Sequence, residues 1–143
     1  VKETKMTTRA KRGFRKTTAE AFAEATERAE RREFLTRYGI EELRRMRLYL
    51  HGSGDAGYGI TAEGELVGVF NRGRHGLGAA AVRDALRRGV RRLDCFDGFL
   101  PGFYSRLGFA ERGRAAWDEH YAPGSWDYGR YGRPDVVFME RAA

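Results

Sequence analysis

Between Gly64 and Phe109 short apolar runs alternate with glycine turns, and that order leaves few architectures open. Leu66, Val67, Val69 and Phe70 form an apolar run that reads as a strand. Gly68 inside it predicts a bulge, or the close approach of another backbone or a ligand. The segment RGRHGLGAAAV, Arg72 to Val82, then places Gly76 and Gly78 before a helix that begins near Leu77 and runs to about Arg88. The helix carries Leu77, Ala80, Ala81, Ala85 and Leu86, a stripe suited to packing on a sheet, and Gly89 ends it. RRLDCF, Arg91 to Phe96, is the next strand. A short helix from Phe99 to Leu107 is stopped by Gly108, and a strand runs from Phe109 to Ala115. A strand–helix–strand unit of this length predicts a parallel pair joined by a right-handed crossover. A glycine turn that opens a helix after a strand is also a place to hold phosphates.

The flanks are read against that unit. Thr17 and Glu20 have capping-box spacing, which predicts a helix from Thr17 to about Tyr38, with Gly39 as its stop. Ile40 to about Arg45 is a helical turn. Met46 to His51 alternates apolar and polar, which favours a strand, with a helix as the competing reading. A hairpin follows around Ala62, Glu63 and Gly64. Trp117 to Pro134 reads as a long ordered loop, because its aromatics need somewhere to pack. Asp135 to Glu140 is a closing strand.

Charge enters the argument through its placement. The net charge is +7, and residues 1–16 carry seven basic side chains against the single Glu3, which accounts for six of those charges. The expected organisation is therefore a basic arm, 1–16, followed by one domain, 17–143. Such an arm can touch nucleic acid, an acidic partner or a membrane surface, and the plainer reading set against these is a solvated, flexible terminus. No run of about 18 apolar residues is present, so no membrane partner is expected. One cysteine, Cys95, offers neither a disulfide nor a metal cluster and fits a cytoplasmic location.

Three local patterns, RGRHGLG, FYSRLGF (Phe103 to Phe109) and DVVFME (Asp135 to Glu140), occur in an order that resembles the GCN5-related N-acetyltransferase superfamily. The likeness covers residues from about 46 to 140. It implies an α/β, acetyltransferase-like fold with a mixed, twisted sheet flanked by helices. It further implies acetyl-CoA, or another acyl-CoA, as cofactor and an amine as acceptor. The basic arm and the aromatic loop favour a macromolecular acceptor, protein or nucleic acid, and a homodimer is left open. A short chain with a reduced front half is similar to the trimmed members carried by phages and mobile elements, with little room for the usual first strand and two helices.

The resemblance implies roles for particular residues. Backbone groups of Leu66, Val67, Gly68, Val69 and Phe70 would pair with the pantetheine arm. Arg72, Arg74, His75, Gly76, Leu77, Gly78 and Ala79 would surround the pyrophosphate. The family places Arg or Gln three residues before the first glycine; here that position is Gly73, flanked by Arg72 and Arg74 as if His75 were inserted. Tyr104 matches the tyrosine that protonates the leaving thiolate, against a second reading as a core aromatic. The base is open among His51, Glu65, Asp94, Asp97 and His120. Asp97 is nearest in sequence terms, against a second reading as a turn cap before Gly98. Cys95 reads as a small buried hydrophobe rather than a nucleophile. The rival to an N-acyltransferase is a catalytically retired binding module that uses the basic arm to contact nucleic acid or a protein assembly.

Overall fold

A computed structural model describes residues 13–29, 38–72, 76–122 and 126–142. Strand β1 (Phe14–Lys16) leads into helix α1 (Ala19–Glu27), then α2 (Ile40–Arg44). Strands β2 (Arg47–His51), β3 (Ala56–Ile60) and β4 (Leu66–Asn71) follow, then α3 (Leu77–Arg87) and β5 (Arg92–Phe96). Helix α4 (Phe99–Arg106), β6 (Phe109–Ala115), the short helix α5 (Tyr128–Tyr131) and β7 (Val136–Arg141) complete the order. Two antiparallel sheets result, one ordered β1-β2-β3-β4 and one ordered β5-β7-β6.

The first sheet is covered on both faces. Tyr58, Ile60 and Leu66 lie in one core with Ala81, Val82 and Ala85 of α3, joined by Leu93, Tyr104, Val137 and Met139. Leu48 and Phe70 lie in a second core with Phe22 and Ala25 of α1 and Leu43 of α2. Each large side chain buried in these cores contributes roughly 1.5–3 kcal/mol. Strand β3 is buried at every position because Gly57 and Gly59 alternate with its large residues. A Cβ on Gly57 would stand 2.7 Å from both the Phe70 ring and the Tyr49 carbonyl oxygen, so side chains from β2 and β4 occupy the room it leaves.

Leu66 and Phe70 are four residues apart, and a regular strand would put them on one face. They face different cores because Gly68 and Val69 together stand opposite Tyr58. Gly68 adopts φ 62°, and this bulge rephases the strand.

Several expectations are corrected. The parallel pair shrinks to a single bridge, Glu65 to Arg92, reinforced by the Arg91 amide donating to the Gly64 carbonyl at 3.1 Å. Among the described residues β4 and β5 share no ladder beyond it, and the strands form two antiparallel sheets that touch at one corner and are flanked by helices. The basic arm is not wholly outside the fold: Phe14 to Lys16 pair with Tyr49 to His51 of β2. With β1, α1 and α2 in place, the front half is not as reduced as expected. The cap of α1 is Thr18, whose hydroxyl accepts the Ala21 amide at 3.1 Å, rather than Thr17. Gly39 caps the start of α2, its amide donating to Glu42 at 3.1 Å. The second half of the helix expected to reach Tyr38 lies outside the described residues, as do Gly73, Arg74, His75 and the first twelve residues.

Candidate active site

Past the bridge at Glu65, the edge of β4 that faces β5 has no strand partner among the described residues. The backbone of Leu66 to Asn71 thus presents ladder groups on that side, with the Gly68 bulge in their midst. Leu66 and Phe70 themselves are core side chains, each 3% exposed, so only their main chain is available to a ligand.

The strand delivers the chain to α3. Gly76 caps this helix in a left-handed conformation, φ 82°, which suits glycine. The first amides of the helix, from Leu77, Gly78 and Ala79, precede the first intrahelical bond, from Ala80 to Gly76. They form the positive end of an eleven-residue helix. A Cβ on Gly78 would stand 3.0 Å from the Asn71 side chain and 3.7 Å from the Phe103 ring. The fold therefore brings the glycine turn and the FYSRLGF helix, 25 residues apart in sequence, against each other. Arg72 stays at the surface, its amide donating to the Asp55 carbonyl at 2.7 Å.

Tyr104 sits in α4 between Phe103 and Phe109, ring centroids 5.1 and 6.0 Å away. Burial, then the neighbouring Cys95 and Asp94, pushes its phenol above the ordinary range, so the hydroxyl stays protonated. Among the described residues that hydroxyl has no hydrogen-bond partner, although the ring is buried. Both readings of Tyr104 thus meet in one residue: a core ring whose donor is unused.

The candidate bases separate clearly. Asp97 accepts from Arg114 at 2.7 Å and from the Gly98 amide at 3.0 Å, and both contacts, Arg114 first, hold its carboxyl below the usual range. A carboxylate so held is a weak base, and the geometry is that of a turn cap. His120 is exposed and bonded to Asp118 at 3.1 Å. His51 is buried, its Nδ1 occupied by Ser53 at 2.7 Å. Cys95 is buried and its thiol is pushed up to about 12, chiefly by burial, which leaves it an inert small hydrophobe.

Glu65 and Asp94 remain. They stand side by side at the corner where the sheets touch, Glu65 bridging to Arg92 two residues before Asp94. Burial and then the Asp94 charge raise Glu65; burial raises Asp94. Asp94 keeps an exposed outer surface, yet protein atoms crowd its carboxyl, and the crowding sets the direction of its shift. The neighbouring Asp94 is a like charge and favours the protonated form of Glu65. Among the described residues no group of metal-ligating side chains is present, and no helix is long and apolar enough to cross a membrane.

No family model matches the sequence, and no curated protein sequence matches it. Solved structures do match in shape, and they define a fold class: that of the GCN5-related N-acetyltransferases. Among them is a ribosomal-protein-alanine N-acetyltransferase from Brucella melitensis, with TM-score 0.57 and 15% identity over 91% of this chain and 99% of that one. A spermidine N-acetyltransferase SpeG chimera from Vibrio cholerae and hSSAT superposes with TM-score 0.58 and 11% identity, over 90% and 94% of the two chains. An N-acetylglutamate synthase from Neisseria gonorrhoeae, complexed with coenzyme A and N-acetyl-glutamate, matches with TM-score 0.50 and 16% identity over 91% of this chain and 35% of that one.

Proposed function

We propose that the chain is an acyl-CoA-dependent N-acyltransferase that moves an acetyl group from acetyl-CoA to an amine. The observation that carries this reading is the continuous path from the unpartnered edge of β4, through the Gly68 bulge, to the free amides of α3, with Tyr104 alongside. The main chain of β4 would hold an extended amide-bearing arm by strand-like hydrogen bonds. The α3 amides would hold a diphosphate at its far end. The neighbours with this fold are N-acetyltransferases, one of them complexed with coenzyme A, which supports the same chemistry here.

The step needs a carbon–nitrogen bond formed and the carbon–sulfur bond broken, with protons leaving the amine and one proton reaching sulfur. In this reading Glu65 and Asp94 would take a proton from the amine, in preference to Asp97. The Tyr104 hydroxyl would give the proton to the leaving sulfur.

Titration with acetyl-CoA in a calorimeter, with thermal shift in parallel, tests the reading. Saturable binding is expected, with stabilisation of about 2.7 kcal/mol at a hundredfold excess over Kd. Absence of binding at millimolar acetyl-CoA overturns it. Tyr104→Phe should keep that binding and lower turnover by about 10²-fold or more.

A further inference from the structure

The second sheet has one face in the core and one open. Leu93, Cys95, Val137 and Met139 point inward. The opposite face carries three registered rows: Arg92 with Glu140 and Ala110, Asp94 with Phe138 and Gly113, and Phe96 with Val136 and Ala115. Phe138 lies at its centre and is 43% exposed, although β7 is the middle strand. Gly113 and Ala115 on β6 are small, and the Phe138 ring lies against Gly113, 3.9 Å from where a Cβ there would stand. Glu65, across the bridge from Arg92, adds its carboxyl to the Asp94 side of the same face.

Charge and shape on this face call for complementary groups. Glu65 and Asp94 lie next to each other on this face, two carboxyls with Arg92 as the nearby countercharge. Glu140 is engaged by Arg112 at 3.7 Å. An ammonium group between Glu65 and Asp94 would complement both carboxylates in their ionised form. Beyond Asp94 the row turns aromatic. Phe96 packs against Trp117 and Trp126 with centroids 5.5 and 4.8 Å away. Among the described residues no acceptor meets the Trp117 indole N–H, which is buried there.

We propose that this face, from Glu65 and Asp94 across Phe138 to Phe96 and Trp117, is the acceptor subsite, and that it takes a cationic primary amine carried on an apolar or aromatic body. The ammonium meets the two carboxyls and the apolar body lies on Phe138 and Phe96. A carboxylate next to the amine, as in a free amino acid, meets Glu65 and Asp94 as a like charge and is rejected. The inference rests on the N-acyltransferase reading for its chemistry, but not for its binding.

Binding is read first without any acyl-CoA. The chain has two tryptophans, both at this site, so intrinsic fluorescence reports occupancy. Phenethylamine should change the emission saturably below about 10 mM, and Asp94→Asn and Phe138→Ala should each weaken it about tenfold. Phenylalanine and ethanolamine, one adding a carboxylate and the other lacking the ring, should bind at least about tenfold more weakly. In turnover with acetyl-CoA, Glu65→Gln should raise KM for phenethylamine while acetyl-CoA affinity stays within about twofold of the parent. Equal response to phenethylamine and phenylalanine overturns the proposal, as does no saturable response to phenethylamine. So does a dimer that Phe138→Ala converts to monomer, since a second copy would then own the face. Loss of acetyl-CoA binding in the parent overturns the acyltransferase reading alone and leaves the fluorescence result standing.

Discussion

Arg88 and Arg114 each gather acidic or polar partners, one beneath the first sheet and one at the rim of the second. Arg88 donates to Asp84 at 2.9 Å, lies 4.1 Å over the Tyr49 ring and reaches the Phe14 carbonyl at 3.2 Å. Asp84 in turn accepts from Tyr58, a residue with no exposed surface. Arg114 meets Asp97 at 2.7 Å, Glu111 at 2.9 Å and Asp135 at 3.6 Å, and every one of these side chains is more than a third exposed. The second knot has more ion pairs and the first has less water. Desolvation makes the first expensive to break, because the Tyr58 hydroxyl left behind cannot return to solvent and Arg88 can do so only in part. The exposed knot gains little, because water and salt replace each partner readily.

Asp84→Ala is the sharpest way to break this contrast. It strands the Tyr58 hydroxyl and the Arg88 guanidinium, and urea unfolding should show a loss of about 3–5 kcal/mol. A loss below about 1 kcal/mol would make the two knots equivalent. Tyr58→Phe leaves Asp84 with its arginines and should cost less, about 1–3 kcal/mol by the same measurement.

The pH dependence sharpens the picture through signs. Burial alone would raise Asp84, but Tyr58 and Arg88 outweigh it and the carboxyl lies below the ordinary range. Its contribution is present above the unfolded value, about 3.9, and is lost as pH falls through the folded one. Asp84→Asn should therefore flatten the acid limb of a stability–pH curve. Glu65 is raised, so its sign is opposite: its contribution is present at acid pH and lost as pH climbs through the folded value. Glu65→Gln should gain on the parent as pH rises toward neutral, read as a Tm difference that widens. At the small end, Arg114→Ala should leave the urea midpoint almost unchanged, and closer still to the parent in added salt.

What the sequence displayed, and what it hid, follows from how far apart the interacting residues lie. The β4–α3–β5 unit was legible because its apolar runs are continuous and its glycines sit at element ends. Gly68 signalled its bulge for the same local reason. Strand β1 was hidden: Phe14, Arg15 and Lys16 look like the rest of a basic arm, and only Tyr49 to His51, over thirty residues away, make them a strand. The split into two sheets was equally non-local, since crossover length says nothing about how far a pair stays paired. At the site, the turn-cap alternative for Asp97 was readable from Gly98, but its arginine came from β6. The pairing of Glu65 with Asp94 needed the corner where the sheets touch. Asp84 and Arg88 did leave a trace, a four-residue charge pair within an otherwise apolar helix stripe.

The extra residue in β4 has a consequence for how this chain can vary. It sets a spatial reading frame: Leu66 before the bulge and Val69 within it serve one core, and Phe70 after it serves the other. Removing Gly68 would swing Phe70 out of the α1 side and break the frame, much as a lost nucleotide scrambles a codon series. Conservative respelling of Val67 or Val69 leaves the frame intact. The length of this strand is therefore less negotiable than its letters, and relatives that keep the count while changing the residues would still fold this way.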